Sequence, residues 1–374
     1  MKKNRSDSAT GEIKTSYYVM DEDHPPTKIE LSVLELKRRR HNAILQERVR
    51  LSGISGRTAI IFALFIAVIK LAERHFPPFG ELIGAHSFRG QAALILLIVG
   101  IVPHIASVLI ILLERPSAKF VYGEKPSLIA CLLAFLSGFP LIFFVLTVEQ
   151  LFALLLLDET LVNTTGWNLL NQGIFLFQSS GVQIALTVLI ACLIPALGQT
   201  LLINGLIQSG LSSEPYQYRA LFSTSLFASL TALDLRSVPQ LLIIFTFVCK
   251  IRNDSDSLLP AALVNFSVSL GRLIYPAIYQ FTADLLWGQL PGSTGQIISQ
   301  ALPLILFSAM LVLPALIFFT NVRNRTLAEE RELSQQNAAN NEMETVGPGK
   351  YKTDYLFVAA NIILFSVLIL QDLV

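Results

Sequence analysis

Runs of about twenty apolar residues recur along this chain, and no other feature narrows its fold as much. A helix rises 1.5 Å per residue, so about 20 residues cross the hydrocarbon core of a bilayer. Lipid offers backbone N–H and C=O groups no partners, so a spanning segment must satisfy them internally. The runs cover residues 58–71, 91–113, 127–147 (continuing past Glu149 and Gln150 to Leu157), 182–207, 220–232, 238–249, 258–273, 297–320 and 355–373. The expected fold is an all-α, polytopic membrane bundle with nine helices, or seven if the short pair 220–232 and 238–249 is re-entrant or interfacial. The first run is short unless it takes in Ile54 and Lys70 snorkels, its stem in apolar surroundings and its ammonium in water. Composition excludes an ordinary soluble chain, with 53% hydrophobic and 15% charged residues.

The formal net charge of +1 hides a strong asymmetry, since 12 of the 28 Lys and Arg residues precede residue 58. Basic residues collect in cytoplasmic loops. With the N-terminus in the cytoplasm and the nine runs alternating, the cytoplasmic segments hold Arg115, Lys119, Lys125, Arg219, Lys250, Arg252, Arg323, Arg325, Arg331, Lys350 and Lys352 besides the N-terminal twelve. That makes 23 of 28. The far side keeps Lys70, Arg74, Arg89, Arg236 and Arg272, and the loop 158–181 has no basic residue. The C-terminus falls on the far side, and a plasma or inner membrane is expected.

Four regions follow. Residues 1–53 form a polar and basic cytoplasmic tail, disordered to about residue 27 and then helical, with no cleavable signal peptide. Residues 54–180 carry the N-terminal spans, 181–275 a central core, and 276–374 the C-terminal spans around a cytoplasmic linker, 321–354. Lys37, Arg38, Arg39 and Arg40 lie in the tail. They either fix orientation from a solvated juxtamembrane helix or bind anionic lipid headgroups. Cys131, Cys192 and Cys249 sit far apart in apolar runs, which suits buried inert thiols and no disulfide or metal framework. His104 lies inside a run without a partner carboxylate, which fits a hydrogen-bonded packing residue better than a ligand or proton relay. Asn163, with Thr164 and Thr165, weakly matches a glycosylation acceptor. No cofactor, metal or nucleic-acid partner is expected.

The run 182–207 contains the stretch Gln199, Thr200, Leu201, Leu202, Ile203, Asn204, Gly205. Its amide and hydroxyl side chains sit at membrane depth, so they must face protein or a wet cavity. On an α-helix Thr200 and Asn204 share a face. Gln199 is about 140° from Asn204, at about 100° per residue, so the group covers a broad face.

This heptapeptide resembles the Glu-Glu-x-x-x-Arg-Gly motif of the CAAX protease and bacteriocin-processing family. Phe227 to Thr231 is similar to that family's Phe-x-x-x-His. The stretch from Ser257 to Ser269, with Pro260, Asn265 and Ser269, is similar to its approach to His-x-x-x-Asn. The resemblance covers about a fifth of the chain and implies the fold of an intramembrane endopeptidase. It also implies that Gln199, Thr200, Asn204, Thr231 and Asn265 stand where the family carries Glu, Glu, Arg, His and His, and Ser269 where it carries Asn. In the family a glutamate and a histidine activate water, while a second histidine and the asparagine stabilise the oxyanion.

A general base must accept a proton near the working pH. Gln199, Thr200 and Thr231 cannot. Asn265 and Ser269 retain donors suited to an oxyanion. The nearest charged residues after Thr231 are Asp234 and Arg236, which read more simply as an interfacial cap and anchor. The expectation is a catalytically degenerate member that binds a membrane or lipidated partner. The alternative is an active endopeptidase that uses non-standard residues. A transporter would show paired intramembrane charges or broken helices in repeated halves, and neither is visible. On the first reading Gln199, Asn204, Thr231 and Asn265 meet near mid-membrane.

Overall fold

The computed structural model describes residues 50–72, 96–155, 184–185, 188–212, 217–232, 237–287, 305–325, 328 and 355–372. Contacts divide the chain into Met1–Glu47 and Arg48–Val374, and every described residue belongs to the second unit. The basic stretch Lys37–Arg40, the loop 158–181 with Asn163, Asp234, Arg236 and nearly all of the linker after Arg325 lie outside the described residues.

Ten helices are described: α1 (Arg50–Ala72), α2 (Leu96–Glu114), α3 (Ala118–Tyr122), α4 (Leu128–Leu155), α5 (Leu189–Leu211), α6 (Gln217–Ser229), α7 (Val238–Ser255), α8 (Leu258–Trp287), α9 (Ile305–Arg325) and α10 (Tyr355–Asp372). Among the described residues the chain forms no strand, only a bridge between Gly123 and Ser257. Six helices are long and apolar enough to cross a membrane: α1, α2, α4, α5, α8 and α9. The shorter α10 is apolar over Tyr355–Leu370. α6 has 13 residues, and α7 ends in the charged stretch that holds Lys250, Arg252 and Asp254. This is the short pair whose spanning the sequence leaves open.

Ile54 lies inside α1 and is fully buried. Lys70 corrects an expectation. It does not snorkel; it is 3% exposed and its Nζ donates to the carbonyl of Ala232 at 2.9 Å. The last carbonyls of a helix lack partners, and a lysine there satisfies one and suits the helix dipole. The site of this cap is the tightened end of α6, where Thr231 N–H bonds Ala228 and Ala232 N–H bonds Ser229.

Two large apolar clusters hold the bundle, beside a small one of Ile54, Ile110, Val121 and Leu206. One joins α1, α2, α5, α6, α7 and α10 through residues such as Phe62, Ile98, Leu202, Ile203, Phe227, Phe245 and Phe357. The Phe227 ring lies 6.2 Å from that of Phe62 and 5.6 Å from that of Phe357. The other joins α4, α7, α8 and α9 through Ile142, Val248, Val264, Val268 and Phe319. α4 and α8 form the longest helix pair, bridged near one end by Thr147 and Tyr275, whose hydroxyls are 3.3 Å apart.

The contacts fix which helix ends lie together. Arg57 Nε pairs with Glu114 at 2.7 Å, joining the start of α1 to the end of α2. A side chain at Gly210, near the end of α5, would lie 2.7 Å from the Leu51 carbonyl oxygen and from Ser55 Cβ. The Glu124 N–H donates to Asp256 O at 2.7 Å, bringing the loop after α3 to the α7–α8 turn. Arg50, Arg57, Arg115, Lys119, Lys125, Lys250 and Arg252 therefore gather at one end of the bundle, as helix alternation from α1 to α8 requires.

Candidate functional site

The stretch that resembles the family's first motif lies on α5, which packs against α2, α3, α6, α7 and α8. α5 is not a uniform α-helix. Residues Leu189–Leu193 and Thr200–Gln208 take the wider π form, in which hydrogen bonds span five residues. The first widening directly precedes Pro195, and the π turn Leu96–Ile101 of α2 likewise precedes Pro103. Proline lacks an N–H and its ring crowds the carbonyl four residues back, so the backbone before it must open. Thr200–Gln208 contains no proline. There the Ser209 hydroxyl donates to the Asn204 carbonyl, five residues back, at 3.1 Å. Extended π helix is rare and often marks a functional segment.

Each side of α5 meets a different neighbour. Asn265 of α8 donates its Nδ2 to Thr200 Oγ1 at 2.7 Å, with both residues buried. One turn on, Asn204 Nδ2 donates to Gln208 Oε1 at 2.8 Å and meets Cys249 Sγ of α7 at 3.3 Å. Gln208 Nε2 donates to the Cys249 carbonyl at 2.7 Å. The amide oxygen of Asn204 has no hydrogen-bond partner among the described residues. Towards the charged end, Arg252 Nη2 donates to Ser209 Oγ at 3.2 Å and Nη1 to Asp256 Oδ1 at 3.2 Å. Burial pulls the Arg252 guanidinium below its ordinary range, and the Asp256 carboxylate opposes that shift. A column of polar groups thus runs down α5, from Thr200 to the exposed carboxylate of Asp256.

Among the described residues no hydrogen bond joins any two of Gln199, Asn204, Thr231 and Asn265, the four side chains expected to meet. Thr200 and Asn265 touch, which joins the first and third motif segments. Asn204 turns to α7 instead. Thr231 is buried but donates its hydroxyl to Ala228 O at 2.7 Å, closing its own helix end. Gln199 and Ser269 are half-buried and take no part in these bonds. Cys192 and Cys249 are buried free thiols, and Cys131 is a half-buried one. His104 Nδ1 lies 2.8 Å from Gly100 O, the hydrogen-bonded packing role expected of it. Its ring occupies the space where Gly198 lacks a side chain. Gly198 is about 200° round an ideal helix from Thr200, so His104 packs on the side of α5 away from Asn265.

Gln208, Ser209, Cys249, Arg252 and Asp256 escape the motif comparison. A row at i, i+4 and i+8 links Thr200, Asn204 and Gln208 on one face, and it is visible once the helix is continued past Ile207. The column's side chains are neutral hydroxyl, amide and thiol groups until Arg252 is reached. The amide donors of Asn204, Gln208 and Asn265 are spent on acceptors within the bundle. Among the described residues no group of three or more His, Cys, Asp or Glu side chains is placed to hold a metal.

Comparison with protein-family models, with curated proteins and with solved structures finds no match.

Proposed function

We propose that this chain is a non-catalytic integral membrane protein on a framework resembling the CAAX protease and bacteriocin-processing endopeptidases, and that it binds a membrane or lipidated partner. The observation that carries this reading is the 2.7 Å bond from Asn265 to Thr200. Asn265 stands where the resemblance puts an oxyanion-stabilising histidine, and its donor is spent on the residue that replaces a catalytic glutamate. An oxyanion hole needs donors aimed at the developing charge before the substrate arrives. A donor already satisfied inside a helix pair is structural. The activating half is supported no better, since Thr231 bonds its own helix and Gln199 cannot accept a proton.

A prenylated membrane peptide carrying a photoactivatable group tests both halves of the proposal. The purified protein in lipid should become labelled and release no cleaved product. General acid–base help is worth about 10²- to 10⁴-fold, so its absence leaves at most a trace rate. Cleavage that disappears in Gln199→Ala would overturn the non-catalytic reading, and absence of labelling would overturn the binding role.

The gathering of basic residues at one bundle end supports a cytoplasmic placement of that end. Reporter fusions at Asn171 and Asn340 should then report opposite sides, with Asn340 in the cytoplasm. Both on one side would refute the orientation.

A further inference from the structure

The segment between α2 and α4 is a pinned elbow at the basic end of the bundle. α2 is closed by Arg115, whose φ of 47° and ψ of 55° turn the chain sharply. The Ser117 hydroxyl then accepts the Phe120 N–H at 3.2 Å and caps α3, and the Ser127 hydroxyl accepts the Ala130 N–H at 3.1 Å and caps α4. Between the caps, Gly123 bridges Ser257 and Glu124 N–H bonds Asp256 O, which ties the elbow to the α7–α8 turn. Val121 is buried against Gly205, so Lys119 and Tyr122 point outward.

The surroundings of the elbow are apolar and uncovered. Leu112 and Leu113 precede it and Leu128 and Ile129 follow it, all exposed, Leu128 at 85%. Exposed leucines on both flanks suit acyl chains, which sets the elbow between them at headgroup level, where an amphipathic aromatic such as Tyr122 also belongs. Three cations stand there, Arg115, Lys119 and Lys125, all exposed. One is compensated, because Lys119 pairs with Glu124 at 3.0 Å. Arg115 and Lys125 enter no ion pair among the described residues.

From this juxtaposition we infer that the elbow is a binding site for the phosphate-bearing headgroup of an anionic phospholipid, held by Arg115, Lys119 and Lys125 with Tyr122 at the interface. Arginine presents a planar fork of donors that matches phosphate oxygens, and lysine a compact charge. The caps and the bridge to Ser257 hold the backbone beforehand, so little ordering is lost on binding. Its three cations belong neither to the tail stretch Lys37–Arg40 nor to the polar column of α5.

The test uses the full-length protein in nanodiscs of mixed phosphatidylglycerol and phosphatidylcholine, with retained lipid counted by native mass spectrometry. Each uncompensated basic residue is worth about fivefold, so a preference of about 25-fold for phosphatidylglycerol is expected. The variant Arg115→Gln, Lys119→Gln, Lys125→Gln should bring it near parity. A variant with Lys37, Arg38, Arg39 and Arg40 all changed to Gln should keep it. The substituted elbow side chains are exposed, so thermal unfolding in pure phosphatidylcholine should match that of the unaltered protein and show that the variant folds. An unchanged preference in the elbow variant would overturn the inference. So would a preference that follows only the tail cluster, or displacement of the lipid by millimolar inorganic phosphate, which would mark a site for free anions.

Discussion

α5 and α9 are both apolar spans, with mean hydropathies of 1.8 and 2.2, yet 61% of the α5 window is buried and only 17% of the α9 window. The difference follows from what interrupts the apolar residues. α5 carries Gln199, Thr200, Asn204 and Gln208 with Gly198, Gly205 and Gly210, while the first fifteen residues of α9 contain one polar side chain, the buried Ser308. Lipid tails are as apolar as leucine, so hydrophobicity does not pull helices together in a bilayer. Small residues let backbones approach, and polar ones gain by finding partners. In this bundle polarity marks the inside, the reverse of the rule for a soluble domain.

The largest expected effect comes from disturbing a close approach of α5. In Gly210→Val the new Cβ would lie 2.7 Å from the backbone oxygen of Leu51 and from Ser55 Cβ. Backbone cannot turn aside as a side chain can, so α1 and α5 must part. Overpacking of this kind costs about 1–3 kcal/mol. Unfolding in mixed micelles should show a loss in that range, while Met310→Val on α9 leaves the transition in place. A neutral result for Gly210→Val would mean that α5 is not the packed centre.

A smaller effect tests the polar half of the comparison. Bonds between membrane helices average about 0.6 kcal/mol and reach about 1.7. Thr200→Val and Asn265→Ala remove opposite ends of one bond, so their losses should not add. A double-mutant cycle should return a coupling within that range. Zero coupling would place the two side chains apart and remove the main support for the proposed function.

The nine apolar runs were legible as helices because run length and backbone satisfaction leave little choice. Where the helices would face was less so. Thr200 and Asn204 share a face on an ideal helix, yet they bond α8 and α7 respectively. The widened turn and the broad face let one polar row serve two neighbours. Gln208 and Cys249 sit at the edges of their apolar runs, where polarity reads as the end of a span. In the fold that edge is interior. Lys70 reads as a snorkelling residue because its alternative partner, the end of α6, is 162 positions away along the chain. The resemblance to the endopeptidase motifs leads one to expect Gln199 and Asn204 beside Asn265, whereas Asn265 bonds Thr200. It also marks Thr231, which the local closure of α6 holds to Ala228.

The smallest effect is predicted on α9, and its smallness is the point. Met310 is 70% exposed, and Leu306, Phe307 and Ile317 beside it are also exposed. In water such a surface would mark a docking site. In a bilayer its neighbours are acyl chains, and truncating Met310 to Ala exchanges protein–lipid contacts for lipid–lipid contacts of similar strength. No cavity forms, because lipid flows into the space, so the cavity cost that core substitutions incur is absent. Met310→Ala and Leu306→Ala should each shift stability by less than about 0.5 kcal/mol, the range of surface substitutions away from special features. The measurement is the unfolding midpoint in bicelles at two protein concentrations. A loss above about 1 kcal/mol that grows with concentration would show α9 covered by another helix of a second copy, and the contrast with α5 would then belong to the isolated chain alone.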